Sequence, residues 1–498
     1  MERKKRPPRG LSALVALFTV GLALSLGVGA AAAPANDASS GTVLQTNLVS
    51  DLPGVAAVLD PNLVNPWGIS ESTSSPFWLS DNGAGLSTLY LVPGAGNTQV
   101  SINPLAVNIP TPVSTGGGTP TGTVFNLGAA DAAFKISGPN KAGVTTSATA
   151  AFLFATEDGT ILGWNPGIDP SGKFDGPNGV STQAVVAVDG SGNNLTNPDP
   201  GEQTGAVYKG LAIATSSTPI IAGDANSTAL LYASNFRAGN IDVYDANFDK
   251  LTALPAGAFA DPDMPAGYAP FNVQVLDGKV YVSYARQDAT AHDDVAGPHR
   301  GFVDVFNLDG SPGLLDGTER LVSRGPLDSP WGLAIAPQGF AGIAAPGTDP
   351  VLLVGNFGDG LINAFDAATG SSLGQLDDPD GEPIQIDGLW ALKVGDGGLG
   401  GAADTVYFTA GLFDESHGLF GSLAAVASGS PEGSAEEQTL TAYIDVVELD
   451  QARLAADTAA GASTATLRQD AETLNADSHE LARIQREAAD DTEADTGP

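Results

Sequence analysis

The chain has 498 residues, no cysteine, and 57 acidic against 21 basic residues, a formal net charge of −36. That balance excludes disulfide staples and thiol or iron–sulfur chemistry, and a field of this sign repels nucleic acid and anionic membrane surfaces. With 63 glycines and 34 prolines, the composition suits many short strands joined by tight turns.

Residues 1–33 read as a signal peptide. The basic cluster Arg3, Lys4, Lys5, Arg6 and Arg9 precedes an apolar run from Leu11 to Val28, and Gly29 to Ala33 supply a small-residue cleavage site. An exported, soluble protein is expected, periplasmic or extracellular, with no membrane insertion once the leader is gone. Residues 34–41 are a linker, and TVLQTNLVSDL from Thr42 alternates apolar and polar residues as a strand does.

From Asn65 onward one pattern is written six times, at about 55–60 residues with one longer interval. The copies start at NPWGIS (Asn65), TPTGTVF (Thr119), YKGLAIA (Tyr208), APFNVQV (Ala269), SPWGLAIA (Ser329) and DGLWALKV (Asp387). Second strands follow as FWLSDN, FLFATED, LYASNF, VYVSYA, LLVGNF and VYFTAG, then Gly-rich turns and third strands such as IDVYD and VDVF. This predicts an all-β fold, a six-bladed β-propeller spanning residues 42–424, with the N-terminal strand completing the last blade. In the first strands Gly68, Gly122, Gly210 and Gly332 form a column in which Asn272 and Trp390 replace glycine. A missing side chain there allows close backbone approach around the axis. Residues 425–498 change composition, and their helix formers predict an acidic α-helical or partly disordered extension.

The strings NLVSDLPGVAAVLDPNLVNPWGIS, FATEDGTILGWNP, YASNFRAGNIDVYDANF, SPWGLAIAP, VGNFGDGLINAFD and IDGLWAL resemble an uncharacterised family of exported bacterial proteins. That family is similar in turn to the six-bladed TolB-like and NHL-like propellers. The resemblance runs from about Thr46 to Leu423 and implies fold and export, with no activity attached.

Candidate chemistry falls in two places. Asp81, Glu157, Asn235 and Asn356 end four second strands, with Asn82 beside Asp81; hard oxygen ligands from different blades suit Ca²⁺ and resemble the axial metal sites of lactonase-like propellers. The same residues also suit turn caps. The second place is the long excursion of the fourth copy, residues 285–301, which carries His292, Asp293, Asp294 and His299. Lys209 and Arg237, rare basic residues in an acidic chain, are further ligand-binding candidates, with Asn272 and Asp387. No Walker loop, nucleophile elbow or H-E-x-x-H is present. The expectation is a binding propeller for a protein, glycan or small molecule. The alternatives are a Ca²⁺-dependent hydrolase of the lactonase type and a surface or matrix structural protein.

Overall fold

A computed structural model describes residues 41–94, 100–192, 205–343 and 350–426. The expected leader, nearly all of the linker after it and the acidic extension from residue 427 lie outside the described residues.

Period-two alternation broken by turn residues leaves each segment only a hairpin partner close in sequence, and every repeat folds into one antiparallel sheet in chain order. The first sheet holds Pro66–Ser70, Phe77–Asp81, Leu86–Leu91 and Ser101–Asn108. In the second are Pro120–Phe125, Phe152–Thr156, Thr160–Trp164 and Val185–Asp189, with an extra hairpin of Lys135–Pro139 and Thr145–Thr149 inserted after the first strand. The third has three strands, Tyr208–Thr215, Ala229–Asn235 and Asn240–Tyr244. Tyr268–Leu276, Lys279–Arg286, Phe302–Phe306 and Arg320–Ser323 form the fourth, and Pro330–Ile335, Val351–Asn356, Ile362–Asp366 and Ser372–Asp377 the fifth. The sixth combines Leu389–Val394, Thr405–Ala410 and Leu419–Ala425 with the chain's first strand, Gly41–Ser50, which pairs antiparallel from Val43 opposite Ala425 to Ser50 opposite Leu419.

The first strand of each sheet touches the first strand of the next, and that of the sixth returns to that of the first. The sheets therefore stand around a common axis as a β-propeller, with these strands innermost. Each gap between neighbours is filled by its own apolar cluster. Trp78, Val107, Phe154 and Trp164 pack between the first two sheets, and Leu353, Ile362, Leu389 and Phe408 between the fifth and sixth. The glycine column does what its spacing implied. A Cβ on Gly122 would meet the backbone nitrogen of Leu211 in the next sheet, and one on Gly68 would lie 2.6 Å from Thr121 O.

Two alignments made on sequence are corrected by strand register. In the sixth sheet Leu392 pairs with Phe408 as Leu333 pairs with Val354, so Ala391 occupies the glycine column and Trp390 is the counterpart of Trp331. In the second sheet Thr156 faces Pro120 as Asp81 faces Pro66, so Glu157 is the counterpart of Asn82, one place beyond the strand end. The turn that follows is one residue shorter than in the first sheet, Ala155 pairing with Ile161 where Ser80 pairs with Ser87, so counting back from the turn puts Glu157 one place early.

Gly122→Ala should cost about 2–3 kcal/mol, because the obstacle is backbone and cannot rotate away. Urea denaturation of the two proteins measures this, and a change below about 0.5 kcal/mol would contradict the close approach.

Candidate functional site

One column on from this register decides the centre of the molecule. Trp67, Thr121, Lys209, Phe271, Trp331 and Trp390 stand at equivalent points of the six innermost strands, immediately before the glycine column. They close the axis. Trp67 stacks on Trp390 with centroids 3.5 Å apart, Trp331 meets both edge-on, and Phe271 lies 5.9 Å from Trp390. Below this plug the axial recess, lined by Gly68, Gly122, Asn272 and Lys393, has about 10 Å³ of free space, no more than a water. Asn272 ties this floor by donating to Trp331 O at 2.8 Å.

Lys209 is the one charged member of the plug, with 3% of its side chain exposed. Its ammonium lies 5.1 Å from the Trp67 ring centroid and 5.9 Å from that of Phe236. It donates to Glu157 Oε1, and to Asp293 Oδ1 at 3.2 Å. Burial alone would pull the lysine down, but the two carboxylates outweigh it and hold the ammonium above its ordinary range. Asn82 Nδ2 fixes the other Glu157 oxygen at 2.9 Å. His292 Nδ1 lies 2.7 Å from Asp293 Oδ1. Burial raises Asp293, yet His292 and Lys209 together keep it well below the usual carboxylate range. The excursion at 285–301 thus folds back over the axis and contributes two of the four groups around the ammonium.

A fifth group was not foreseen. Residues 413–415, in the link between the second and third strands of the sixth sheet, all have positive φ, at 54°, 50° and 65°. For non-glycine residues this backbone costs energy that the surroundings must offset. The phenylalanine nitrogen of this turn donates to Asp387 Oδ2 at 2.9 Å, and Asn65 Nδ2 donates to Glu415 Oε2 at 2.7 Å. Asn65 is itself held by Trp390 Nε1 at 3.0 Å. Burial first, and the nearby Glu157 second, push Glu415 up to about 7.

The remaining candidates are engaged elsewhere. Asp81 accepts from Thr88 N at 2.9 Å, Asn235 donates to Asp242 at 3.0 Å, and Asn356 donates to Pro326 O and Asp359 at 2.8 and 2.9 Å, each within its own sheet or its connections. Of the four residues proposed for Ca²⁺, Glu157 alone reaches the ammonium, because it stands one place beyond the strand end that the other three occupy. Arg237 donates to Gly205 O at 3.0 Å, and His299 bonds Gly325 O on the outer part of the excursion. Asp294 is raised by burial, with Ser329 and Lys209 opposing. One donor group does meet the distance requirement for a metal, since ligand atoms of Glu157, His292 and Asp293 all lie within 4.8 Å of one another.

Comparison with known proteins places the chain in a family. No family model matches it. Two uncharacterized proteins of Acanthamoeba polyphaga mimivirus are similar to it along most of both chains, one 30% identical over 384 residues (76% of this chain, 78% of the relative) and one 32% identical over 386 (76% and 84%). The chain belongs to their family. Among solved structures it is similar to virginiamycin B lyase from Staphylococcus aureus, at 13% identity over 77% of this chain and 99% of that one with a TM-score of 0.34. A glucose dehydrogenase is similar at 13% identity over 73% and 98%, with a TM-score of 0.39. Likeness of this degree carries nothing about activity. Among the described residues no helix is long and apolar enough to cross a membrane.

Two outcomes follow for stability. Lys209→Met strands Glu157 without its partner and should lower the unfolding free energy at pH 7 by about 3–5 kcal/mol, with Lys209→Met/Glu157→Gln recovering part of the loss in urea melts. Glu415 has its folded value raised from 4.5 to about 7, so its contribution is most favourable below pH 4.5 and is lost as pH rises toward 7. Glu415→Gln should therefore flatten the fall in stability between about pH 5 and 7, and an unchanged slope would contradict the assignment.

Proposed function

We propose that the protein is a six-bladed propeller, closed by its N-terminal strand, that binds a small cationic ligand at the axial mouth. The observation carrying this is an imbalance of charge. Glu157 and Asp293 bind one ammonium, Lys209, while Glu415, whose charge also acts on it, has an amide rather than a cation as its hydrogen-bond partner. A ligand ammonium or guanidinium supplies the missing charge, and a buried carboxylate gains most from a partner that arrives with its own donors. Phe357, stacked on Trp390 at 4.1 Å and lining an adjoining recess of about 110 Å³ with Asp359, Gln385 and Asp387, offers an aromatic face for the same ligand. Asp293 is exposed and Lys209 buried, so an anion would meet that carboxylate before the ammonium. The leader read in residues 1–33 would put this site outside the cytoplasm.

Titration with putrescine and with arginine, followed by tryptophan fluorescence and calorimetry, tests the reading. Both should bind wild type, Glu415→Gln should weaken them about tenfold, and succinate should have no effect. Binding of succinate in place of the amines would overturn it.

The Glu157, His292 and Asp293 group supports a second reading, a metal-dependent hydrolase. An imidazole nitrogen among carboxylates suits Zn²⁺ or Mn²⁺ better than the Ca²⁺ expected from an all-oxygen set. Lys209 holds the same carboxylate oxygens, so a metal would enter only by displacing it. Under this reading Zn²⁺ raises the melting temperature of wild type and not of His292→Ala; the same shift in both proteins would remove it.

A further inference from the structure

A second group of acids lies in the first sheet, and the axial site does not use it. Asp60 follows the short strand Val58–Leu59, which pairs with the end of Gly41–Ser50, and it is 3% exposed. Its Oδ2 accepts from Tyr90 OH at 3.0 Å and its Oδ1 from Asn62 N at 3.0 Å. Tyr90 is fully buried and stacks at 5.7 Å on Phe420 of the sixth sheet. Across the hairpin Phe77 pairs with Tyr90, Leu79 with Thr88 and Asp81 with Leu86, so Asp81, Thr88 and Tyr90 share one face. Asp81 is 0% exposed and its Oδ2 takes Thr88 N, but among the described residues its Oδ1 has no hydrogen-bond partner, nor has the Thr88 hydroxyl.

Two buried carboxyls that act on one another, with no basic side chain among the groups acting on Asp81, are costly. The groups that act on Asp81 are Thr88 and Asp60, and those that act on Tyr90 are Asp81, Asp60 and Thr88. Asp81 Oδ1 and the Thr88 hydroxyl are left buried without a hydrogen-bond partner among the described residues, so the site as built calls for either a proton or a cation. The available atoms decide between them. A proton on Asp81 would neutralise one carboxyl and leave Asp60 without a counter-charge, whereas a divalent cation answers both. Carboxylate, hydroxyl and phenol oxygens with no nitrogen are the donor set of a hard cation.

We propose that Asp60 and Asp81, with the Thr88 and Tyr90 hydroxyls, bind one Ca²⁺ ion. The ion staples the loop that follows the closing strand to the first sheet. Two carboxylates match its charge, and the site is distinct from the axial mouth, sharing no residue with it.

The full-length protein is stripped with EDTA and its melting temperature followed during titration with Ca²⁺, Mg²⁺ and Na⁺. Ca²⁺ should raise the midpoint by about 3–5 °C at roughly a hundredfold excess over its dissociation constant, with smaller responses to Mg²⁺ and Na⁺. Asp81→Asn should abolish the response while Glu157→Gln keeps it, which separates this site from any metal at the axis. Should Asp81→Asn fail to fold, Tyr90→Phe should weaken Ca²⁺ about tenfold by calorimetry. No response in the stripped wild type, an Asp81→Asn protein that is as stable and still responsive, unchanged affinity in Tyr90→Phe, or equal shifts with all three ions would each overturn the proposal.

Discussion

A buried ammonium among three tryptophans sets the terms for the axis of this protein. Six innermost strands present six equivalent side chains to one small volume, and five of them are Trp, Phe or Thr. The sixth, Lys209, brings a charge to a place where water cannot screen it. From that point on the arrangement is constrained. Glu157 must sit where it does, Asn82 must hold it, and the fourth-sheet excursion must fold inward to bring Asp293. Trp331 completes the circuit by donating Nε1 to the carbonyl of Lys209 itself at 3.0 Å.

The glycine column and the aromatic plug are two consequences of the same crowding. Close backbone approach at Gly68 and Gly122 draws neighbouring sheets together, and the residue just before each glycine is then forced toward the axis. Large flat rings fill such a space with few voids, and each well-oriented pair adds about 0.5–1.5 kcal/mol beyond its buried area. A rigid floor follows, on which polar groups from separate repeats are held at fixed distances.

Much of the propeller was legible in the sequence because its signal is local and repeated six times, as period-two strands and Gly-bearing turns, with the triplet PWG in two of the copies. What was lost was lost for specific reasons. Matching FLFATED to FWLSDN at the turn puts Glu157 under Asp81, but the turn after Thr156 is one residue shorter, and matched from Phe77 and Phe152 Glu157 falls under Asn82. Lys209 could be noticed as a rare basic residue, but its meaning depends on standing where Trp67 and Trp331 stand. Glu415 and Asn65 are 350 positions apart, and no local pattern links them. Their one trace in the sequence is that the link at residues 411–418 is longer than the tight turns closing most other hairpins, as the excursion at 285–301 also is.

The pairing of Gly41–Ser50 with Leu419–Ala425 bears on the order of events in folding. Five of the sheets can form from contiguous stretches of chain as they emerge. The sixth needs a strand made first and a strand made last, separated by more than three hundred residues, and until they meet both expose unpaired edges. Closure is therefore the step of highest contact order and the natural candidate for the slow phase. Before it, a nearly finished chain could borrow its missing strand from a neighbour, so the same joint that seals the ring is the place where one molecule can be mistaken for two.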